Sequence, residues 1–155
     1  MYYIFIEDGK TNGCGQCPIV SDNVFSYEVS EILYNLFLET PDKYIWDGFE
    51  IVENPNYEEE QAKKEKERIG KLTCTKRVFA LMLQELGLTY TQLKQLIATN
   101  EQAQLEWDLC VELERKNPLL DVMALQLGIT PAQLDGLFKY ANGEITIEEF
   151  KAIGV

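Results

Sequence analysis

Leu86-Gly87-Leu88-Thr89, followed by Gln92, Leu93 and Leu96, returns forty-one positions later as Leu127-Gly128-Ile129-Thr130, followed by Gln133, Leu134 and Leu137. This shared LGxTxxQLxxL pattern restricts the fold more than any other feature of the chain. A glycine after an apolar run ends a helix, because it accepts the left-handed backbone that a helix C-terminus favours. A threonine two positions later caps the next helix through its side-chain oxygen. The second half is therefore expected to be built from helix-turn-helix pairs. The repeat itself supplies no reactive group.

Length bounds what surrounds these pairs: 155 residues hold one ordinary core, or two small modules sharing one, and exclude a large multidomain enzyme. No apolar run approaches the roughly 18 residues needed to cross a bilayer. The opening Met1-Tyr2-Tyr3-Ile4-Phe5-Ile6-Glu7-Asp8 lacks the basic segment of a signal peptide. The expected location is the cytoplasm of the cell that makes the protein, with no membrane partner.

The net charge of −12 is unevenly distributed. Residues 1–56 carry two lysines against ten carboxylates, or −8, while residues 57–155 carry twelve basic side chains against sixteen carboxylates, or −4. Such a front half repels phosphate backbones and anionic lipid. It serves solubility, or it imitates the charge of nucleic acid or meets a basic partner.

Four cysteines and no histidine leave little metal chemistry. Cys14 and Cys17 form a CxxC, but Cys74 and Cys110 are distant from it and from each other. A zinc site would have to gather all four thiols from separate elements. Gly13, Gly15 and Pro18 mark a turn around the CxxC, not the helix start that a thioredoxin-like site requires. The expectation is four reduced thiols with no metal and no cofactor.

Along the chain, Tyr2 to Ile6 reads as a strand ended by Asp8-Gly9, with Thr11-Asn12-Gly13 extending the turn and a strand near Gln16 to Val20 returning antiparallel. Ser26 to Ser30 leads into a helix that Ser30 caps and Pro41 stops. Tyr44-Ile45-Trp46, Asp47-Gly48 and Phe49-Glu50-Ile51-Val52 read as a hairpin with a two-residue turn. From Tyr57 the composition shifts to helix formers. Glu58 to Arg68 is polar nearly all round, with Glu59/Lys63 and Glu60/Lys64 in the favourable i,i+4 order, as in a solvated connecting helix. Glu101 to Lys116 reads as one helix whose apolar positions cover more than one stripe, so that it faces a partner as well as its own core. The expected fold class is α+β: a small acidic β-rich module with hairpins and one helix (residues 1–56), a charged connecting helix (57–72), and an all-α bundle of five or six helices (73–155).

The second copy of the repeat has the spacing of a DNA-binding helix-turn-helix, with Ala124, Gly128 and Leu134 in the required positions. Its would-be recognition helix offers Gln133, Asp135 and Lys139, and the first copy offers Gln92, Lys94 and Gln95. Phosphate anchoring needs several cations per helix, so no direct DNA binding is expected. Asn142-Gly143-Glu144-Ile145-Thr146-Ile147-Glu148-Glu149-Phe150 is similar to the back half of a calcium-binding EF-hand loop. Phe138 and Tyr140 stand where the first two oxygen ligands belong, so the stretch reads as a turn and a helix capped at Thr146. No Ser-centred nucleophile motif or phosphate loop is present, and no catalytic residue is expected. The candidates for partner binding are aromatic: Tyr44, Trp46 and Phe49 on the hairpin, and Trp107 on the over-apolar helix, where it would sit at a self-association seam.

Three stretches carry a resemblance: Asp42-Lys43-Tyr44-Ile45-Trp46-Asp47-Gly48; Asn54-Pro55-Asn56-Tyr57-Glu58; and Leu72-Thr73-Cys74-Thr75-Lys76-Arg77 running on to Ile97-Ala98-Thr99-Asn100-Glu101-Gln102-Ala103-Gln104-Leu105-Glu106-Trp107-Asp108. In these the chain resembles a group of small proteins without assigned chemistry, encoded by phages and prophages of Gram-positive bacteria among tail and baseplate genes. The resemblance implies a phage setting, in the bacterial cytoplasm or in the virion, and a tail-associated role. It implies no functional residue. The resulting expectation is a non-enzymatic structural or assembly protein whose partner is a phage structural protein, a host protein or a second copy of itself. The alternative is an anti-CRISPR-like inhibitor, in which the acidic front module occupies the nucleic-acid groove of a host nuclease.

Overall fold

The computed structural model describes residues 1–153. The fold is α+β, and the chain divides into two compact units, Met1–Lys63 and Lys64–Val155.

The first unit is built on a three-stranded antiparallel sheet of order β2-β1-β3, with β1 Tyr2–Glu7, β2 Lys10–Gly15 and β3 Val24–Val29. Asp8 and Gly9 both take positive φ, 50° and 74°, which is the tight primed turn that lets Glu7 pair directly with Lys10. The returning strand is therefore Lys10–Gly15 and not Gln16 to Val20, and Thr11-Asn12-Gly13 lies in it. Ser26 to Val29, expected only to lead into a helix, belongs to the edge strand β3, which is paired from Tyr2↔Val29 to Glu7↔Val24. Ser30 caps helix α1, Glu31–Glu39, by accepting the Leu33 N–H at 3.2 Å. Ile4 and Ile6 leave one face of β1 and pack with Phe37 of α1, Tyr44 and Ile51. A second, two-stranded ribbon joins β4, Tyr44–Trp46, to β5, Ile51–Glu53. Its register pairs Trp46 with Ile51, so the turn is the four-residue Asp47-Gly48-Phe49-Glu50 and not a two-residue Asp-Gly turn.

Helix α2, Tyr57–Gly70, contains the division between the units. Within the second unit its last turns are held by charge. The Arg68 guanidinium bridges Glu65 and Glu144 at 2.7–2.9 Å, and Lys139 reaches Glu65 at 3.1 Å. Donation from Arg68, then from Lys139, holds the Glu65 carboxyl down at about 2, and Arg68 also lowers Glu144. Because both folded-state values are depressed, this contribution is complete above the ordinary glutamate range of about 4.3 and is lost as pH falls from there toward 2. The thermal midpoint should drop between pH 5 and pH 2.5, and Glu65→Gln/Glu144→Gln should flatten that slope. An equal acid slope in the variant would remove the network from the account.

Beyond α2 come strand β6 (Thr73–Thr75), helices α3 (Lys76–Glu85), α4 (Tyr90–Ala98) and α5 (Glu101–Leu109), strand β7 (Glu112–Glu114), and helices α6 (Pro118–Gln126), α7 (Pro131–Ala141) and α8 (Ile147–Ala152). The expected single helix from Glu101 to Lys116 is thus two elements, and the unit is not all-α. Cys110 turns to extended backbone, and β7 pairs antiparallel with β6 through Thr73↔Glu114, Cys74↔Leu113 and Thr75↔Glu112. Leu113 is buried between exposed Glu112 and Glu114, a period of two that overrides the helical reading.

The LGxT repeat is a corner made entirely of local bonds. Gly87 and Gly128 stand at φ 80° and 73° just past the ends of α3 and α6. The Leu88 N–H donates to the Leu83 carbonyl and the Gly87 N–H to that of Gln84; Ile129 and Gly128 repeat this on Ala124 and Leu125. Thr89 and Gln92, like Thr130 and Gln133, then form reciprocal capping boxes. The EF-hand-like stretch is a third corner with one residue more. Glu144 donates to the Lys139 carbonyl, Gly143 to that of Tyr140, and Thr146 with Glu149 closes the capping box of α8. The apolar positions that the corners bring inward, among them Leu83, Leu93, Leu134, Leu137, Phe138 and Phe150, are the most completely buried side chains of this unit.

Candidate functional site

The four aromatic candidates have different surroundings. Tyr44 is buried, its ring 6.4 Å from that of Phe37, and its carbonyl accepts the Thr11 hydroxyl at 3.2 Å. It belongs to the core of the first unit and leaves no face for a partner. Trp46 is half-buried, edge-on to Tyr27 at 5.0 Å and 6.0 Å from exposed Phe25. Phe25 and Tyr27 come from β3, so this aromatic patch was invisible without the strand assignment.

Phe49 is 86% exposed at the tip of the four-residue turn. The loop beneath it is fixed: the Asp47 carboxylate accepts the Phe49 and Glu50 N–H groups at 2.8 and 2.9 Å, and the Asp47 N–H donates to the Glu50 carbonyl at 3.2 Å. Donation from the Glu50 and then the Phe49 amide keeps the Asp47 carboxyl below its usual range, so the loop carries negative charge at neutral pH. An aromatic ring in water on an ordered acidic loop is an anchor already positioned for binding.

Trp107 is half-buried on α5, edge-on to Phe79 at 6.3 Å. The Lys76 ammonium sits 5.9 Å from its ring centre and donates to its carbonyl at 2.7 Å. Trp107 is therefore one wall of an open groove of about 470 Å³, shared with Lys76, Arg77, Leu81 and Tyr90. Lys94 lies 5.9 Å over the Tyr90 ring. The sequence singled out Trp107 but none of the cations near it, because α3 supplies Lys76 and Arg77 and α4 supplies Lys94 while Trp107 stands on α5.

The over-apolar stretch leaves a ridge uncovered. Leu105 is 58% exposed, Leu109 73% and Val111 85%, and the two leucines share a helix face by their i,i+4 spacing. Val122 and Leu125 are exposed on α6. Other reactive groups are dispersed. Cys14 and Cys17 lie in the first unit, Cys74 and Cys110 in the second, and all four are free thiols. Burial pushes the Cys74 thiol up to about 12, which keeps it protonated and unreactive. Among the described residues no group of three or more Cys, Asp or Glu side chains is placed to hold a metal ion. None of their helices is long and apolar enough to cross a membrane. Comparison with protein-family models, with curated proteins and with solved structures finds no match for the chain.

Proposed function

We propose that the chain is a phage-encoded, non-enzymatic interaction protein that serves as a structural or assembly component of the tail. The observation that carries this reading is the exposure of Leu105, Leu109 and Val111, side chains left outside a well-formed core. Fully burying such side chains yields roughly 1.5–3 kcal/mol each. Association itself costs about 4–15 kcal/mol, so three of them, roughly 4.5–9 kcal/mol together, support at most a weak contact between two molecules. A contact of that strength suits a component held in an array, where many weak contacts act together at high local concentration. The likeness of its motifs to phage proteins encoded among tail genes supports the same setting.

One observation favours a second reading. Of the ten carboxylates in residues 1–56, all but Glu7 are exposed, an acidic surface suited to the nucleic-acid groove of a host nuclease. Affinity purification from phage-infected cells at low and high salt separates the two. Tail or baseplate proteins should be retained at both salt concentrations, because apolar contacts are not screened. Leu105→Lys/Leu109→Lys should lose them at both while keeping its helical circular dichroism. Recovery of a nuclease that high salt releases would replace the assembly reading with the inhibitor reading.

A further inference from the structure

We propose that the Asp47-Gly48-Phe49-Glu50 loop of one copy docks into the groove of Lys76, Arg77, Leu81, Tyr90 and Trp107 on a second copy, joining molecules head to tail. The inference rests on the chain being an interaction protein, but not on the tail as its destination.

The groove is a cationic island on an acidic protein. Its lining holds Lys76 and Arg77 and no carboxylate, within a chain of −12, although the α5 helix that supplies Trp107 also carries Glu101, Glu106 and Asp108. Elsewhere Lys43, Arg68, Arg115, Lys116, Lys139 and Lys151 are paired with carboxylates. In the groove Lys76 is satisfied by a carbonyl, which leaves its charge uncompensated; Lys94, outside the lining, lies over the Tyr90 ring. Arg77 is exposed and makes no ion pair among the described residues. Between these cations, half-exposed Leu81 and Tyr90 and the Trp107 ring give the groove an apolar floor. Such a surface selects an occupant with an aromatic or aliphatic anchor flanked by carboxylates.

The chain itself carries that occupant. Phe49 is the most exposed aromatic side chain among the described residues, and Asp47 and Glu50 flank it. The Asp47 hydrogen bonds hold the loop in one shape, so docking does not have to pay for ordering it. A ring entering between Tyr90 and Trp107 gains aromatic contact and lies within reach of Lys76 and Arg77, while Glu50 meets Arg77. Loop and groove are different patches, so the contact is heterologous and propagates into a ring or an open string, not a closed two-fold dimer.

The experiment is sedimentation equilibrium of the purified full-length chain across concentration, at about 50 mM and about 500 mM salt. At low salt the weight-average mass should rise above the 17.8 kDa of one chain as concentration increases, and high salt should reverse the rise. Phe49→Ala and Arg77→Glu should each weaken association about tenfold or more. Glu50→Lys alone should do the same, and mixing the Glu50→Lys and Arg77→Glu proteins should restore association between the two, because the unaltered loop of the Arg77→Glu protein meets the unaltered groove of the Glu50→Lys protein. A wild-type protein that stays at monomer mass up to about 1 mM at low salt overturns the proposal. So does self-association that Phe49→Ala and Arg77→Glu leave unchanged, or a mixture that shows no rescue. Monomeric protein that still captures tail components would sink this contact alone. Self-association without such capture would sink only the tail assignment.

Discussion

Phe138→Ala should destabilise the second unit by about 3–5 kcal/mol, the cost of emptying a fully enclosed aromatic site. Phe138 is completely buried on α7, in a core that takes residues from β6, β7 and helices α3 to α8. Its position lets little of the cavity collapse, because the neighbouring helices are tied at their corners. A unit spanning Lys64–Val155 has roughly 5–14 kcal/mol of total stability to draw on. The variant should therefore fold but unfold at a much lower urea concentration. Trp107 fluorescence in a Trp46→Phe background reads this unit selectively, and Leu105→Ala, at an exposed site, is the matched control. A midpoint for Phe138→Ala as close to the parent as that control would remove Phe138 from the core.

Ile4→Ala should have the larger consequence although its cost is similar, about 2–5 kcal/mol. Ile4 is fully buried on the central strand, and only Ile6, Phe37, Tyr44 and Ile51 share the buried core of the first unit. A unit spanning Met1–Lys63 holds roughly 3–9 kcal/mol by the same scaling. At the middle of both ranges losing Ile4 removes about half of that, which brings the sheet much closer to its unfolding transition at physiological temperature. Trp46 fluorescence in a Trp107→Phe background should show the loss, while Ile4→Val, costing about 0.5–1.5 kcal/mol, should remain folded. Folding of Ile4→Ala equal to that of Ile4→Val would mean that the sheet draws its stability from elsewhere.

What could be read from the residues was what neighbouring residues decide. Ser30, Thr89, Thr130 and Thr146 were legible as caps because each accepts from an amide three positions away. The glycines of the corners were legible for the same reason. The strands β3 and β7 were not, because three to six residues become a strand only when a distant partner supplies the hydrogen bonds. That also explains the misread Glu101–Lys116 stretch, whose doubled apolar stripe belongs partly to a helix and partly to a strand. Among the site residues, Phe49 and Trp107 were noticed as aromatics. Tyr44 was placed on the wrong side of the surface because neither its burial nor a turn of four residues is marked locally. The cations facing Trp107 could not be associated with it, since Lys76 and Trp107 are brought together only by the packing of α3 against α5.

The three corners of the second unit and its β6–β7 ribbon differ in how far apart along the chain their partners lie. Each corner is complete within about ten consecutive residues, so its helices can start to form as soon as that short stretch is free to move, with almost no loop to close. The ribbon joins Thr73 to Glu114 and must first draw together the ends of everything between them. Closing such a loop costs entropy before any pairing rewards it. The three-pair ribbon, like the Arg68–Glu144 bridge that spans still more of the chain, is therefore expected to form after the corners, on helices that are already begun.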